Sequence, residues 1–173
     1  MADLTWDHKL KGDQSDDPVV YAEMLELSGL DLPEPTDEDL LEIFKTSGYS
    51  LQTWARRKDD EGRTILTNDP HWIATRGSTP LHYDPRYPRY SHHLKLRVDP
   101  GVFLRGLGQT KLPLVRGLFY VLDAHSPHQI FCAEEPSAWN VAASIDSHDV
   151  IPAVECLPSL INFVKSRTFL PFR

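Results

Sequence analysis

Residues 117–130 read Gly-Leu-Phe-Tyr-Val-Leu-Asp-Ala-His-Ser-Pro-His-Gln-Ile, an apolar run, a tight turn and a histidine at the start of a second run. This pattern predicts two β-strands, at 117–122 and 129–132, joined by the turn. Further short apolar runs, separated by Pro, Gly, Asn or Asp, lie at 64–67, 72–75, 93–98, 139–145 and 150–154. Seven short strands at this spacing predict a sandwich or a barrel.

The segment before the strands is predicted to be helical. Apolar residues at helical spacing predict a helix over 19–30, and Thr36 followed by three acids predicts the start of a second helix. A short helix is expected over 50–58, and the apolar spacing of 157–169 predicts a closing helix. The predicted fold class is therefore α+β, mainly β, with N-terminal helices packed on a β core.

The length of 173 residues corresponds to one domain. We expect a flexible acidic arm at 1–18 and a single domain over 19–173, which is helical at 19–60 and forms its β core at 62–156. No apolar stretch approaches the ~20 residues that cross a bilayer, and the first residues lack the basic head of a leader. A cytoplasmic protein without a membrane partner is expected.

The net charge of −7 is unevenly distributed. Residues 1–45 carry 13 Asp and Glu against 3 Lys and Arg, whereas the remainder is mildly basic. A protein that binds duplex nucleic acid without sequence preference needs a continuous basic surface to displace phosphate counterions. Duplex nucleic acid is therefore not an expected partner, and the oligomeric state is left open.

Candidate metal ligands lie in the stretch Thr79-Pro80-Leu81-His82-Tyr83-Asp84-Pro85. Residues i and i+2 of a strand point to the same face, so His82 and Asp84 present an imidazole and a carboxylate side by side. A third ligand from a later strand would complete the two-histidine, one-carboxylate set that binds non-haem Fe(II).

Together, residues 77–84 and 117–130 resemble the Fe(II)/2-oxoglutarate-dependent oxygenases, and among them the Jumonji-C-like branch. The resemblance extends over about 64–147. It implies a double-stranded β-helix, a jelly-roll or cupin-like barrel, with Fe(II) held by His82, Asp84 and His128. His125 is the less favoured alternative to His128. The implied partners are 2-oxoglutarate, O₂ and an unidentified substrate that is oxidised at a C–H bond.

The resemblance also places the cation that binds the far carboxylate of 2-oxoglutarate on the strand after the His-x-Asp motif. Period-2 alternation there puts His93, Lys95 and Arg97 on one face of the strand, and either face could point inward. Lys95 is preferred over Arg97, which could instead pair with Asp99. His93 and Thr79 complete the expected cosubstrate-binding set.

Two alternatives remain open from the sequence. The first is a cupin-type metalloenzyme that does not use 2-oxoglutarate, although its usual His-x-His pair is not found after the motif. The second is a non-catalytic β-barrel binding module, in which the histidines are hydrogen-bonding core residues.

Overall fold

The computed structural model describes residues 17–44, 51–54, 70–85, 88–108 and 111–166. Within these ranges the protein is mainly β, with nine strands and two helices. The elements in chain order are β1 (Val19–Met24), α1 (Asp37–Phe44), β2 (Leu51–Trp54), β3 (His71–Arg76), β4 (Tyr90–Val98), β5 (Val102–Arg105), β6 (Lys111–Pro113), β7 (Leu118–Asp123), β8 (Gln129–Cys132), β9 (Trp139–Ser147) and α2 (Ala153–Ser166). Neither helix is long and apolar enough to cross a membrane.

The strands form two antiparallel sheets. The large sheet has the order β1-β7-β4-β9-β3-β2, and the small sheet has the order β6-β5-β8. The segment 77–82 continues the small sheet along β8, because Thr79 N donates to Ile130 O at 2.9 Å and His82 forms an isolated antiparallel bridge with His128. In the described part of the chain the two sheets do not close into a barrel.

Two hydrophobic cores lie on opposite faces of the large sheet. One is shared with the helices and includes Leu40 of α1 and Leu160 of α2, both fully buried. The other lies between the two sheets and includes Leu104, Tyr120 and Ile130. The face of the large sheet that looks toward the small sheet is called the inner face below.

The sharp turn after β3 positions the segment that carries the His-x-Asp motif. Gly77 has φ of 81°, a left-handed conformation that costs about 1–2 kcal/mol in other residues. A Cβ at this position would also lie 2.6 Å from Pro136 O. Glycine therefore allows the chain to leave the large sheet and to join the small one within a few residues.

Helix α1 begins where the sequence predicts. Asp39 N donates to Thr36 Oγ1 and Thr36 N donates to Asp39 Oδ2, both at 3.2 Å, so the two residues cap the helix reciprocally. Helix α2 begins at Ala153, four residues before the predicted start, because the carbonyl of Pro152 accepts the Glu155 and Cys156 amides and opens an additional turn.

Several predicted elements are wrong. Residues 19–24 form strand β1 rather than a helix, because their β-branched and aromatic side chains pair with the exposed edge of β7. Residues 51–54 are strand β2 rather than part of a helix over 50–58, since they pair with β3. The segment 150–154 is not a strand, because it leads into α2.

Strands β5 and β6 were not predicted, since short strands of the small sheet carry little periodic signal. The predicted strand at 64–67 and residues 1–16 of the predicted arm lie outside the described residues.

Candidate metal centre and adjoining cavity

Three side chains converge where the segment 77–82 meets the start of β8. The potential ligand atoms of His82, Asp84 and His128 all lie within 4.8 Å of one another. Asp84 Oδ2 is 3.3 Å from His128 Nε2 and 3.8 Å from His82 Nε2. The donor set is two imidazoles and one carboxylate, which is the combination that non-haem Fe(II) sites use.

Both imidazoles are oriented by main-chain carbonyls. His82 Nδ1 lies 2.6 Å from Pro80 O, and His128 Nδ1 lies 2.8 Å from Ser126 O. A carbonyl can only accept, so each Nδ1 carries a proton, and the Nε2 of the neutral ring has its lone pair available for a ligand. When His128 is protonated, its Nε2 instead donates to Asp84. The two residues are also paired as strand neighbours, with His82 N donating to His128 O and His128 N donating to His82 O.

The third member of the group is fixed through its own main chain, because Asp84 N donates to Ala124 O at 2.8 Å. Burial raises the pKa of Asp84, but the hydrogen bond and charge of His128, together with the charges of His82 and His125, outweigh burial and hold this pKa below its ordinary value. The carboxylate is therefore available in its ionised form. Within the described residues, His125, the alternative ligand, does not belong to the group.

A cavity of about 160 Å³ extends from these three residues between the two sheets. Its wall on the large sheet is formed by residues of neighbouring strands, which lie opposite one another in successive pairs. Ser91 of β4 lies opposite Asp146 of β9, then His93 opposite Ser144, then Lys95 opposite Ala142. The row beyond contains Thr75 of β3 opposite Asn140 of β9, and Tyr120 of β7 lies opposite His93.

Lys95 is a buried cation on this wall. Its side chain is 2% exposed, and its Nζ lies 5.1 Å from the ring centroid of Tyr120. Within the described part of the chain this ammonium group forms no ion pair or hydrogen bond. Burial lowers the pKa of Lys95 from 10.5 to about 7 and raises that of Tyr120 above its ordinary value. A buried cation without an anion is costly, so an anionic ligand in the cavity would be strongly favoured there.

Arg97 does not line this cavity. A β-bulge between Lys95 and Arg97 interrupts the alternation that predicts a shared face. Arg97 instead pairs with Asp37 at the start of α1 and with Asp99, and it also donates to Pro35 O. The predicted pairing with Asp99 is confirmed, and the prediction that Arg97 shares the face of Lys95 is wrong.

His93 and Thr79, the other predicted cosubstrate residues, both line the cavity and are both buried. His93 stacks on Tyr120 with 4.9 Å between ring centroids, and its Nε2 lies 2.8 Å from Ser91 Oγ. The Ser91 hydroxyl donates to Asp146 Oδ1, also at 2.8 Å. Thr79 Oγ1 accepts the Ile130 amide, which strengthens the pairing of 77–82 with β8.

Five polar residues that line the cavity were not predicted from the sequence. They are Thr75, Ser91, Tyr120, Asn140 and Asp146. A usable signal exists in β9, where the polar residues Asn140, Ser144 and Asp146 alternate with apolar ones and so predict a polar inner face.

Some polar groups on this wall have no hydrogen-bond partner among the described residues. Four buried side-chain polar atoms of the described chain lack a hydrogen bond, and three of them belong to the cavity residues Thr75, His93 and Asn140. Unpaired buried polar groups are rare in folded proteins. The wall of the cavity is therefore suited to a polar ligand.

Comparison with known proteins adds no identification, because no family model and no curated protein matches the chain. What is inferred about function therefore depends on the geometry of this site.

Proposed function

We propose that the protein is a non-haem Fe(II)- and 2-oxoglutarate-dependent dioxygenase with a double-stranded β-helix core. The observation that carries the proposal is the position of the His82, Asp84 and His128 group beside a cavity lined by Lys95, a buried cation that has no anionic partner among the described residues. The first feature suits the metal, and the second suits the far carboxylate of the cosubstrate.

The strand connections support this fold. From β3 to β9, counting the segment 77–82, the described residues form eight extended segments, four in each layer. It runs from β3 in the large sheet to 77–82 in the small one, back to β4, then through β5 and β6 of the small sheet to β7, β8 and β9 in alternate layers. Two four-stranded antiparallel layers with such crossings are typical of jelly rolls.

The residues of the site fit an Fe(II) ion by three criteria. The donor set is of the required type, the three ligand atoms are close enough to share one ion, and both histidines present Nε2 because their Nδ1 protons are bound to carbonyls. Only three protein ligands converge in the described chain, which suits an ion that keeps positions for a cosubstrate and O₂.

The cavity fits a dicarboxylate. The ammonium group of Lys95 provides the charge for the far carboxylate, and the hydroxyl of Tyr120 on the same wall is a further donor. The apolar side chains of Leu104, Leu122 and Ile130 also line the cavity and exclude water from the methylene groups of a ligand. These contacts would orient the cosubstrate so that its keto acid end meets the metal.

When bound together, Fe(II) and 2-oxoglutarate supply the activation of O₂ and the oxidation of a substrate C–H bond, with release of succinate and CO₂. The protein supplies the geometry. Asp84 and the two histidines hold one face of the site, Lys95 neutralises the cosubstrate, and the partial exposure of His82 and Asp84, about one third each, leaves the opposite side accessible to a substrate.

Anaerobic titration with 2-oxoglutarate tests the proposal directly. Fe(II)-loaded wild-type protein is expected to develop a metal-to-ligand charge-transfer band, and O₂ is then expected to convert 2-oxoglutarate to succinate. Removing the buried cation in Lys95→Met should weaken cosubstrate binding by about 2–5 kcal/mol, at least 30-fold in Kd. Arg97→Met is the matched control, because this side chain lies outside the cavity, and its Kd should stay within twofold of wild type.

Two results would contradict the proposal. Metal binding without a band or succinate would favour a cupin-type metalloenzyme that does not use 2-oxoglutarate. The absence of Fe(II) binding would favour the non-catalytic binding module.

A further inference from the structure

A hydrogen-bond network near the candidate metal centre surrounds Asp123, the last residue of β7, which does not belong to the candidate ligand group. Its side chain is 7% exposed, and each carboxylate oxygen accepts two hydrogen bonds. Oδ1 accepts from Arg89 Nε at 3.3 Å and from the His125 amide at 3.1 Å. Oδ2 accepts from an Arg89 terminal nitrogen and from Ser126 Oγ, both at 3.1 Å.

These bonds shape the loop Asp123–His128. The main chain of Asp123 takes part as well, because its carbonyl accepts the Ser126 amide at 3.0 Å. The next residue, Ala124, donates its amide to Arg89 O at 2.7 Å. Ser126 is completely buried, so the loop has little freedom to rearrange while these contacts persist.

Two carbonyls of this loop hold two of the three candidate ligands. Ala124 O accepts the Asp84 amide at 2.8 Å, and Ser126 O accepts the Nδ1 proton of His128 at 2.8 Å. The Asp123 carboxylate is therefore connected to Asp84 through the peptide group of Ala124 and His125, whose N–H it accepts. It is connected to His128 through Ser126, whose hydroxyl it accepts. Side chains in this position determine ligand orientation at metal sites and commonly affect affinity by 10–100-fold.

We propose that Asp123 is a positioning residue of the metal site, which folds the loop Asp123–His128 so that the carbonyls of Ala124 and Ser126 aim Asp84 and His128 at one ion. The inference rests on the metal-binding half of the proposed function and does not depend on the identity of the cosubstrate. Replacing the Asp123 carboxylate by an amide changes one of its two accepting oxygens into an NH₂ donor. This NH₂ group would face the donor nitrogens of Arg89, together with either the His125 amide or the Ser126 hydroxyl.

Co(II) titration of the metal-free 173-residue chain tests this role without any turnover. The ion is followed by its visible absorption and by calorimetry. Asp123→Asn is expected to weaken Co(II) binding at least 10-fold and to change the shape of the absorption band, because the two ligands no longer meet at the same geometry. Ser126→Ala, which removes one hydroxyl and keeps the carbonyl, should weaken binding about threefold and guards against a failure of Asp123→Asn to fold.

Asp99 provides a matched control. It is also a carboxylate at the end of a strand, accepts from Arg97 and from the Trp139 amide, and lies outside the candidate site. Asp99→Asn should lower the melting temperature as Asp123→Asn does, yet leave the Co(II) Kd within twofold of wild type.

The outcomes separate the two ideas. Equal Co(II) affinity and equal spectra in wild type, Asp123→Asn and Ser126→Ala would overturn the positioning role while the oxygenase proposal stands. Weakened Co(II) binding in the variants, combined with a wild type that never binds 2-oxoglutarate, would support the positioning role and overturn the oxygenase. A wild type that binds no Co(II) would overturn both.

Discussion

Replacing Lys95 by methionine is expected to stabilise the protein in the absence of ligands. Methionine has a similar length and no charge, so the substitution removes the buried ammonium group without opening a large cavity. The pKa of Lys95 falls from 10.5 to about 7 on folding. At 1.36 kcal/mol per pH unit, this difference corresponds to roughly 5 kcal/mol of destabilisation when the lysine is charged in both states.

The number of protons bound at Lys95 in the folded and unfolded states determines how pH changes the free energy of unfolding. Between pH 7 and 10.5 the unfolded chain binds more protons at Lys95 than the folded protein does, so wild-type stability rises with pH across this window. The destabilisation caused by burying the charged lysine is fully present below pH 7. We therefore expect Lys95→Met to raise the free energy of unfolding by about 4 kcal/mol at pH 7, by more at pH 6, and by progressively less toward pH 10.

Urea unfolding of the metal-free proteins at pH 6, 7, 8 and 9 measures this difference. Lys111→Met is the control, because Lys111 is exposed on β6 and its substitution should give a small difference that does not vary with pH. A difference between wild type and Lys95→Met that stays constant over these pH values would refute the reasoning, since Lys95 would then keep its ordinary pKa.

The same linkage affects ligand binding. A carboxylate in the cavity stabilises the protonated lysine, so above pH 7 each molecule bound also takes up a proton. The Kd of 2-oxoglutarate, measured by anaerobic titration, should rise toward tenfold per pH unit above 7 and vary little below pH 6. A flat profile from pH 7 to 9 would show that another group binds the carboxylate.

Three further changes test particular features. His128→Ala should weaken Co(II) binding at least 100-fold while His125→Ala stays within a few-fold of wild type, and the reverse result would exchange the two assignments. Gly77→Ala should lower the urea unfolding free energy by roughly 2 kcal/mol or more, because of its positive φ and the contact with Pro136 O; an unchanged value would mean that the turn relaxes. Arg97→Ala should destabilise the protein without changing its Co(II) affinity, whereas a changed affinity would connect this residue to the site.

Local patterns in the sequence predict much of the β core and the residues that converge at the site. The His-x-Asp spacing is a local feature that pairs His82 with Asp84, and the resemblance to the Jumonji-C-like oxygenases adds His128. The structure places the three side chains within 4.8 Å of one another. Metal and cosubstrate binding stay predictions. The mainly β fold class is confirmed. It can be predicted because short apolar runs separated by Pro, Gly, Asn or Asp are a local feature of the sequence.

The errors arise where distant contacts decide the structure. Residues 19–24 fit a helical spacing, but the available edge of β7 makes them a strand. Arg97 fits the alternation of β4, but the bulge and the acidic start of α1 turn it away from the cavity. The strands that create these features, β7 beside residues 19–24 and β9 opposite the bulge, are distant in the sequence, so a local pattern does not show their effect.

The central place of β9 in the large sheet has a consequence for how the chain folds. β9 is the last strand of the described residues, yet it pairs with both β3 and β4 and joins them into one sheet. In a growing chain that has not reached residue 139, the described strands of the large sheet thus form two separate groups, β1-β7-β4 and β3-β2, each with an unpaired edge. Because the joining contacts span up to about 70 residues, folding should be slow and highly cooperative, and incomplete chains should be prone to aggregate.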